Sequence, residues 1–156
     1  MASLGTMNAF ADTSFLFALY RQQENSQAAD TFLQKAREPL HISSLVLLEF
    51  RQSARYQAFR FSRDRAQGFA KREAQLMLAA LQENIAGGAV MIVPVDWQEV
   101  HSMAEQLSSR FTLTGGHRLL DVLHVSTAIH LKARKLLTFD KNQINLTKSA
   151  GLEVGP

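Results

Sequence analysis

Four acidic residues stand among apolar residues, where a folded chain normally builds its core. They are Asp12 in FADTSFLF, Glu49 in LVLLEF, Asp121 in LLDVL and Asp140 in LLTFD, whereas most of the other Asp and Glu stand in polar surroundings. Carboxylates gathered in one pocket repel one another and lose solvation unless a cation offsets their charge. Hard divalent cations such as Mg²⁺ and Mn²⁺ prefer carboxylate oxygens. The four acids are therefore candidate ligands of such a cation, provided that the fold brings them together.

Each acid also has a purely structural explanation, and spacing along the chain does not decide between the two. Asp12 is placed to cap a helix that follows it, and Asp140 is placed to form a turn before Lys141. Glu49 fits a helix face that points to solvent, and an exposed stripe would accommodate Asp121 even between leucines. The functional interpretation therefore depends on whether the four side chains cluster.

Apolar, strand-like runs alternate along the chain with segments of helical periodicity. The predicted strands are 8–11, 39–43, 91–95, 135–139 and 152–154, and the predicted helices are 15–21, 26–37, 45–59, 63–84, 97–110, 118–133 and 143–150, with a loop at 112–117. Ser43 or Ser44 is predicted to cap the third helix, and Asp96 the fifth. This alternation predicts an α/β fold with a parallel sheet. Asp12 and Asp140 would then follow two strands at their carboxyl ends, where open α/β sheets bind ligands.

Composition limits the class of protein. The chain has 156 residues, of which 46% are apolar and 20% charged, with a formal net charge of +3 and no Cys. It is long enough for one domain, and it has no disulfide, thiolate zinc site or cysteine nucleophile. We expect no signal peptide and no membrane span, which fits a reducing, cytoplasmic compartment. We assign residues 7–156 to a single domain and 1–6 to a leader or cloning remnant.

A basic stretch from 51 to 72 interleaves seven Lys or Arg with four aromatic residues and a single Asp. Basic faces with aromatic side chains suit RNA backbones and unstacked bases. The aromatic residues are better explained as core or dimer contacts. The arginines favour RNA or an acidic partner, because the excess of positive charge is one-sided.

The acids stand in motifs that resemble a PIN-domain ribonuclease of the VapC toxin type. The matching segments are ADTS at Asp12, LLEF at Glu49, GGHRLLDVLHVSTAIHLKA around Asp121, LLTFD at Asp140 and the closing KSAGLEV. The resemblance extends from residue 8 to 154 and is most specific between 115 and 140. Ser126, where the family often has Ala, and Thr147, in a usually Ala-rich last helix, are mild departures that leave the acids untouched.

This resemblance implies a three-layer α/β/α sandwich and metal-dependent cleavage of single-stranded RNA. Asp12, Asp121 and Asp140 would hold Mg²⁺ or Mn²⁺ directly or through water, and Glu49 would bind it through water or orient the attacking water. Bound Mg²⁺ lowers the pKa of water and neutralises phosphate oxygens, which is why the chemistry needs these residue types. The remaining candidates are Thr13, Ser14 and Thr138, as hydrogen-bond partners of the carboxylates, and Arg51, Arg55, Arg60 and Arg118, as RNA contacts. The resemblance also implies a homodimer, a cognate antitoxin and no membrane partner.

Two other functions compete with the ribonuclease. One is a catalytically silent PIN module that binds RNA or protein, against which the four acids argue. The other is an α/β phosphotransferase or phosphatase with Asp12 as nucleophile, although such enzymes usually carry D-x-D after the first strand and this chain has DTS. We expect His124 to be packed or hydrogen-bonded rather than a metal ligand, and His117 to contact a phosphate or belong to a loop.

Overall fold

A five-stranded parallel sheet lies at the centre of the computed structural model, which describes residues 6–156. Its strands are β1 (Ala9–Ala11), β2 (Leu40–Ile42), β3 (Val90–Ile92), β4 (Lys135–Leu137) and β5 (Glu153–Gly155), in the spatial order β3-β2-β1-β4-β5. Every neighbouring pair is parallel. The predicted parallel sheet is therefore confirmed, with β1 at its middle and its three residues buried.

Helices connect the strands and cover the sheet. They are α1 (Thr13–Tyr20), α2 (Ser26–Lys35), α3 (Ser44–Arg63), α4 (Lys71–Ala86), α5 (Trp97–Leu107), α6 (Leu113–Gly115), α7 (Leu119–His130) and α8 (Lys141–Ser149). The first four pack against one another, while α7 packs against α5 and α8. This arrangement confirms the predicted α/β/α fold class.

Short polar side chains begin four of these helices. Asp12, Ser43, Asp96 and Asp140 are N-caps whose side chains accept backbone N–H groups of the first turn. Such caps satisfy donors that the helix itself leaves free, and each contributes about 1 kcal/mol. The predicted caps at Ser43 and Asp96 are confirmed. Asp12 is a helix cap, as its structural explanation predicted, whereas Asp140, expected to form a turn, caps α8, which begins at Lys141 and not at residue 143. Capping leaves open what else the two acids do.

The predicted start of the fourth helix at Arg63 is wrong, because α3 continues to Arg63 and α4 begins at Lys71. Asp64 adopts an extended conformation at the end of α3, and its Oδ1 accepts the backbone N–H of Ala66 at 3.0 Å. Gly68 then has a φ of +65°. A helical pattern cannot be continuous through such a turn, so the segment 64–70 crosses from α3 to α4 as a loop.

The predicted loop at 112–117 is also largely wrong. After α5 the chain continues through a π-helical segment, Ser108–Thr112, and then through α6. The helical conformation ends at Gly116, whose φ of +66° is left-handed. These helical residues were not predicted because none of them is buried, so they show no apolar periodicity. Even Leu113 is 96% exposed.

No helix among the described residues is long and apolar enough to cross a membrane. The segment 1–6, assigned from sequence to a leader or remnant, lies outside the described residues except for Thr6.

Gly68→Ala is expected to destabilise the protein more than Gly88→Ala. Both glycines have positive φ, but a Cβ at Gly68 would lie 2.1 Å from the carbonyl oxygen of Gln57, whereas one at Gly88 meets nothing within 4 Å. We expect losses of about 1 kcal/mol at Gly88 and at least about 2 kcal/mol at Gly68, measured by chemical denaturation. Equal losses would contradict the close approach of this loop to α3.

Candidate active site

One cavity of about 820 Å³ collects all four acids predicted from sequence. Asp12, Glu49, Asp121 and Asp140 line it together with Thr13 and Ser14, and we call it the acid cavity. Asp12 follows β1, and its backbone N–H donates to the carbonyl of Leu137 at the end of β4 at 3.1 Å. Because β1 and β4 are adjacent and parallel, their carboxyl ends bring Asp12 and Asp140 to the same edge of the sheet. The structure thus supplies the clustering that spacing alone left open.

Asp12 is the most deeply buried of the four acids, with 4% of its surface exposed. Its Oδ1 accepts hydrogen bonds from the hydroxyl of Ser14 at 2.7 Å and from the backbone N–H of Phe15 at 3.0 Å. Burial raises the pKa of Asp12, and it outweighs the hydrogen bonds from Thr138, Ser14 and Phe15, which lower it. Ionisation of Asp12 is therefore less favourable in the fold than in water.

Glu49 reaches the acid cavity from α3 and is held by two side chains. The hydroxyl of Thr13 donates to its Oε1, and Nε2 of His124 lies 3.0 Å from the same oxygen. Burial opposes its ionisation, but the hydrogen bond and charge of His124 and the hydrogen bond of Thr13 outweigh it, so the pKa of Glu49 is lowered. The predicted packed or hydrogen-bonded role of His124 is confirmed, since its ring is 3% exposed.

Asp121 lies in the first turn of α7, where its Oδ2 faces the backbone N–H of Arg118 at 3.4 Å. Burial raises its pKa, and the negative charges of Asp140 and Glu49 raise it further. The hydrogen bond from Arg118 and the charge of His124 act in the opposite direction without prevailing. Repulsion between the carboxylates therefore adds to burial in raising the pKa of Asp121.

Asp140 is solvent-exposed at the mouth of the acid cavity and begins α8. Its backbone N–H donates to the hydroxyl of Thr138 at 3.1 Å, and that hydroxyl lies 3.2 Å from the hydroxyl of Ser14. Ser14 also accepts the N–H of Phe139 at 2.9 Å. The two hydroxyls therefore join the ends of β1 and β4 and fix the backbone that carries Asp12 and Asp140.

The donor set suits a hard divalent cation, although the side chains would have to close around it. No three His, Asp or Glu side chains within residues 6–156 are grouped tightly enough to ligate one ion as they stand. Four carboxylates nevertheless line one cavity, and burial has raised the pKa of two of them. Carboxylate oxygens are the ligands that Mg²⁺ and Mn²⁺ prefer, so the lining of the cavity fits such a cation by its chemistry.

The arginines predicted to bind RNA fall into two groups. Arg118 lines the acid cavity, and Arg60 lies about three helical turns beyond Glu49 on the same face of α3. Arg51 and Arg55 point away from the cavity: Arg51 donates to Gln82 of α4 at 2.8 Å, and Arg55 borders a cleft between α3 and α4. A helix turns by about 100° per residue, so the three arginines on α3 at positions 51, 55 and 60 cannot share one face.

His117 does not line the acid cavity. It borders a second cavity of about 450 Å³, which lies against α5 and the start of α7. Its ring lies beside Gly115, where a Cβ would come within 2.3 Å of His117 Nε2. Nothing in this position favours the phosphate contact considered from sequence.

The sequence analysis did not single out five polar side chains that line the acid cavity, Arg21, Gln23, Ser53, Gln57 and Gln143. Arg21, at the end of α1, lies 2.9 Å from Glu73 and 4.8 Å from the centre of the Phe69 ring. Gln143 lines the cavity from α8 with 1% of its surface exposed. For Arg21 the available signal was its place on the helix that Asp12 begins. For Gln143 it was a polar residue at a position of α8 that packs inward.

Asp121→Asn is expected to stabilise the cation-free protein in a pH-dependent way. Because the pKa of Asp121 is raised in the folded protein, its ionisation lowers the free energy of unfolding. This loss is absent below the usual pKa of 3.8 and is complete once the pH has risen above the pKa of the folded protein. The variant should therefore gain up to about 1 kcal/mol at neutral pH and lose this gain as the pH falls towards 3. Thermal unfolding in EDTA across this range measures it, with the exposed Asp30→Asn as control. A gain independent of pH would contradict the repulsion.

Comparison with known proteins places this geometry in a family. The family model described as the PIN domain matches residues 9–148 of the chain. A search of curated proteins found no match to the chain.

Solved structures share the fold at low sequence identity. VapC20 of Mycobacterium tuberculosis, a sarcin-ricin loop cleaving toxin, has a TM-score of 0.62 and 19% identity, over 96% of this chain and 100% of VapC20. FitAcB of Neisseria gonorrhoeae has a TM-score of 0.62 and 18% identity, over 95% and 96%. PAE2754 of Pyrobaculum aerophilum has a TM-score of 0.58 and 16% identity, over 97% and 92%. With its motifs, its fold and a family match over most of its length, the chain belongs to the PIN domain family.

Proposed function

We propose that this protein is an endoribonuclease that uses Mg²⁺ or Mn²⁺ to hydrolyse phosphodiester bonds of single-stranded or loop RNA. The observation that carries the proposal is the convergence of four carboxylates in one cavity at the carboxyl edge of the sheet. Burial raises the pKa of Asp121 and the charges of Asp140 and Glu49 raise it further, while the helix caps that Asp12 and Asp140 form do not require all four acids to share one cavity. Binding of a divalent cation would explain why the four carboxylates lie together.

Asp12, Asp121 and Asp140 would hold the cation, because they approach the cavity from three different elements. When bound, the cation would activate a water and neutralise the developing charge on the phosphate. The hydroxyls of Ser14 and Thr138 fix the backbone that carries Asp12 and Asp140. The backbone that carries two of the ligands is thereby fixed, so only side chains would have to move to close around the cation.

Glu49 has a separate role in this proposal. Its lowered pKa keeps it ionised, and the two partners on Oε1 leave its second oxygen without a hydrogen-bond partner among the described residues. An ionised carboxylate held in this way can accept a proton from the attacking water or bind a water of the cation. Thr13 and His124 position Glu49 without contacting RNA themselves.

Arg118 lies on the wall of the acid cavity and supplies positive charge beside the carboxylates, whereas Arg21, on the same cavity, is paired with Glu73. Phosphate groups of an incoming strand need such charge, because the four acids alone would repel it. Arg60 would extend this path along α3. We propose that Arg51 and Arg55, on the other side of α3, contribute to RNA attraction only through the overall field.

We propose further that the protein is the toxin of a toxin–antitoxin pair, with a cognate antitoxin as partner and a homodimer as its assembly. The fold shared with VapC20, a sarcin-ricin loop cleaving toxin, supports a toxin and an RNA loop as substrate. The exposed Tyr56 and Phe59 on α3, 53% and 52% exposed, offer apolar area for a protein partner.

A catalytically silent PIN module is the second candidate. It is favoured by one observation: the described residues do not group three ligands around one point as they stand. In that case the acid cavity would bind RNA or protein without cleaving it. Binding of the cation separates the two candidates, since a silent module has no need of it.

Asp121→Asn is expected to lower RNA cleavage by at least about a hundredfold, because it removes a cation ligand while keeping the shape of the side chain. The assay is cleavage of a mixed single-stranded RNA pool with Mg²⁺, with Mn²⁺ and with EDTA. The control is Asp30→Asn, an exposed acid on α2 that should leave cleavage unchanged.

Three outcomes decide the proposal. Cation-dependent cutting that disappears in Asp121→Asn supports the nuclease and its site together. Full activity in Asp121→Asn contradicts the assignment of the site. Intact protein that binds no cation and cuts no RNA supports the silent module instead.

Arg118→Ala is expected to raise the KM for RNA several-fold, by roughly 3- to 10-fold, with a smaller effect on kcat, since it removes one phosphate contact of the cavity. Arg55→Ala is the matched comparison, because it removes the same charge from the far side of α3. Its KM should change less than about twofold. Equal effects of the two substitutions would place the RNA path across α3 rather than through the acid cavity.

A further inference from the structure

The side-chain amide of Gln143 is buried without a hydrogen-bond partner at the acid cavity. Its side chain is 1% exposed and lines the acid cavity beside the position where α8 begins. Both Oε1 and Nε2 lack a hydrogen-bond partner among the described residues. The neighbouring buried hydroxyl of Thr147, by contrast, donates to the carbonyl of Gln143 at 2.6 Å.

The usual structural reason for a Gln at this position does not apply here. Gln143 is the third residue of α8, where a Gln side chain commonly turns back to accept the N–H of the N-cap residue. That N–H, on Asp140, instead donates to the hydroxyl of Thr138 at 3.1 Å. Only half of the reciprocal cap is present, the bond from the backbone N–H of Gln143 to Asp140 Oδ1 at 3.0 Å. The side-chain amide of Gln143 therefore has no capping role and can bind another group.

A buried amide without partners weakens the fold, and native proteins rarely retain one without a ligand, ion or water to satisfy it. The site already contains four carboxylates, which accept hydrogen bonds but cannot donate them. A neutral amide adds both a donor and an acceptor without further repulsion. The partners that would satisfy it must therefore include a donor for Oε1 and an acceptor for Nε2.

We propose that Gln143 positions the hydrated divalent cation of the acid cavity: its Oε1 accepts a hydrogen bond from a water bound to the cation, while its Nε2 donates to a neighbouring carboxylate. This inference rests on the proposed function, because it needs a cation at the four acids. A metal-bound water offers only its hydrogens, since its oxygen is bound to the cation, so it matches Oε1. The carboxylates, which accept only, match Nε2. Mg²⁺ keeps several waters when proteins bind it, so such a water is available.

A phosphate oxygen of RNA fits this position less well. It would satisfy Nε2 alone and leave Oε1 without a donor. Both amide atoms are almost inaccessible to water as they stand, so the side chain would have to rotate towards the cavity to meet its partners. Gln143 is accordingly a positioning residue for the cation and not a contact of the substrate.

The test compares Gln143→Met, Gln143→Glu and the control Asn145→Met, an exposed position on the same helix. Mn²⁺ affinity is measured by calorimetry, and thermal unfolding is measured in EDTA and in Mn²⁺. Gln143→Met should weaken Mn²⁺ binding by roughly 10- to 100-fold, as loss of a group that orients metal ligands commonly does. It should also raise the melting temperature in EDTA by roughly 2–4 °C, because the orphaned amide is gone. Gln143→Glu keeps the acceptor and should retain the Mn²⁺ affinity within about threefold, while melting lower in EDTA through added repulsion.

Each result decides a different statement. Mn²⁺ binding unchanged in Gln143→Met overturns the role of Gln143 and leaves the metal-dependent nuclease standing. A lower melting temperature of Gln143→Met in EDTA overturns it too, because the amide would then stabilise the cation-free fold. Wild-type protein that binds no Mn²⁺ overturns both this inference and the proposed function. Equal loss of affinity in Gln143→Met and Gln143→Glu contradicts the acceptor role of Oε1.

Discussion

Parallel strands end at a common edge, and this constraint determines where the acids of the protein lie. The main-chain bond from Asp12 to the carbonyl of Leu137 locks the end of β1 to the end of β4. The hydroxyls of Ser14 and Thr138 then join the two turns that follow. Asp12 and Asp140 each begin a helix there, so the same side chains start α1 and α8 and face the acid cavity. One carboxylate can therefore both cap a helix and serve the cavity, so the structural and functional explanations of Asp12 and Asp140 do not exclude each other.

The carboxylates of the cavity differ in how the fold treats their charge. Burial disfavours the charge of Asp12, and repulsion from its neighbours adds to burial at Asp121. Burial also opposes the charge of Glu49, but its hydrogen bonds with His124 and Thr13 outweigh burial and lower its pKa. A site that binds a cation and also activates water needs this division, because the ligands gain from the cation while the proton acceptor must be charged beforehand. The buried amide of Gln143 fits the same logic, since its missing partners are those that a hydrated cation would bring.

Sequence patterns predicted the elements that depend on local signals and failed where tertiary contacts decide. The parallel sheet and the caps at Ser43 and Asp96 were predictable, because apolar runs and polar residues at their ends are short-range features. That the four acids share one cavity became visible only in the fold. The loop that precedes α4 was not, since it depends on Gly68 passing the carbonyl of Gln57, a contact across two elements. The side of α3 on which Arg51 and Arg55 lie required the helix phase relative to Glu49, which a count of charges ignores. Gln143 was invisible for the same reason: only the folded cavity shows that its amide lacks a partner.

The measurement that tests this account most directly is anomalous X-ray scattering from crystals of the protein soaked in Mn²⁺. The account predicts one or two anomalous peaks inside the acid cavity, with oxygens of Asp12, Asp121 and Asp140 at roughly 2.0–2.3 Å from an ion. It also predicts that the carboxylates move inward from their present positions, which do not group three ligands around one point within residues 6–156. A fully soaked crystal with no peak in this cavity, or with its Mn²⁺ bound elsewhere, would contradict the claim that the four acids are assembled for a cation.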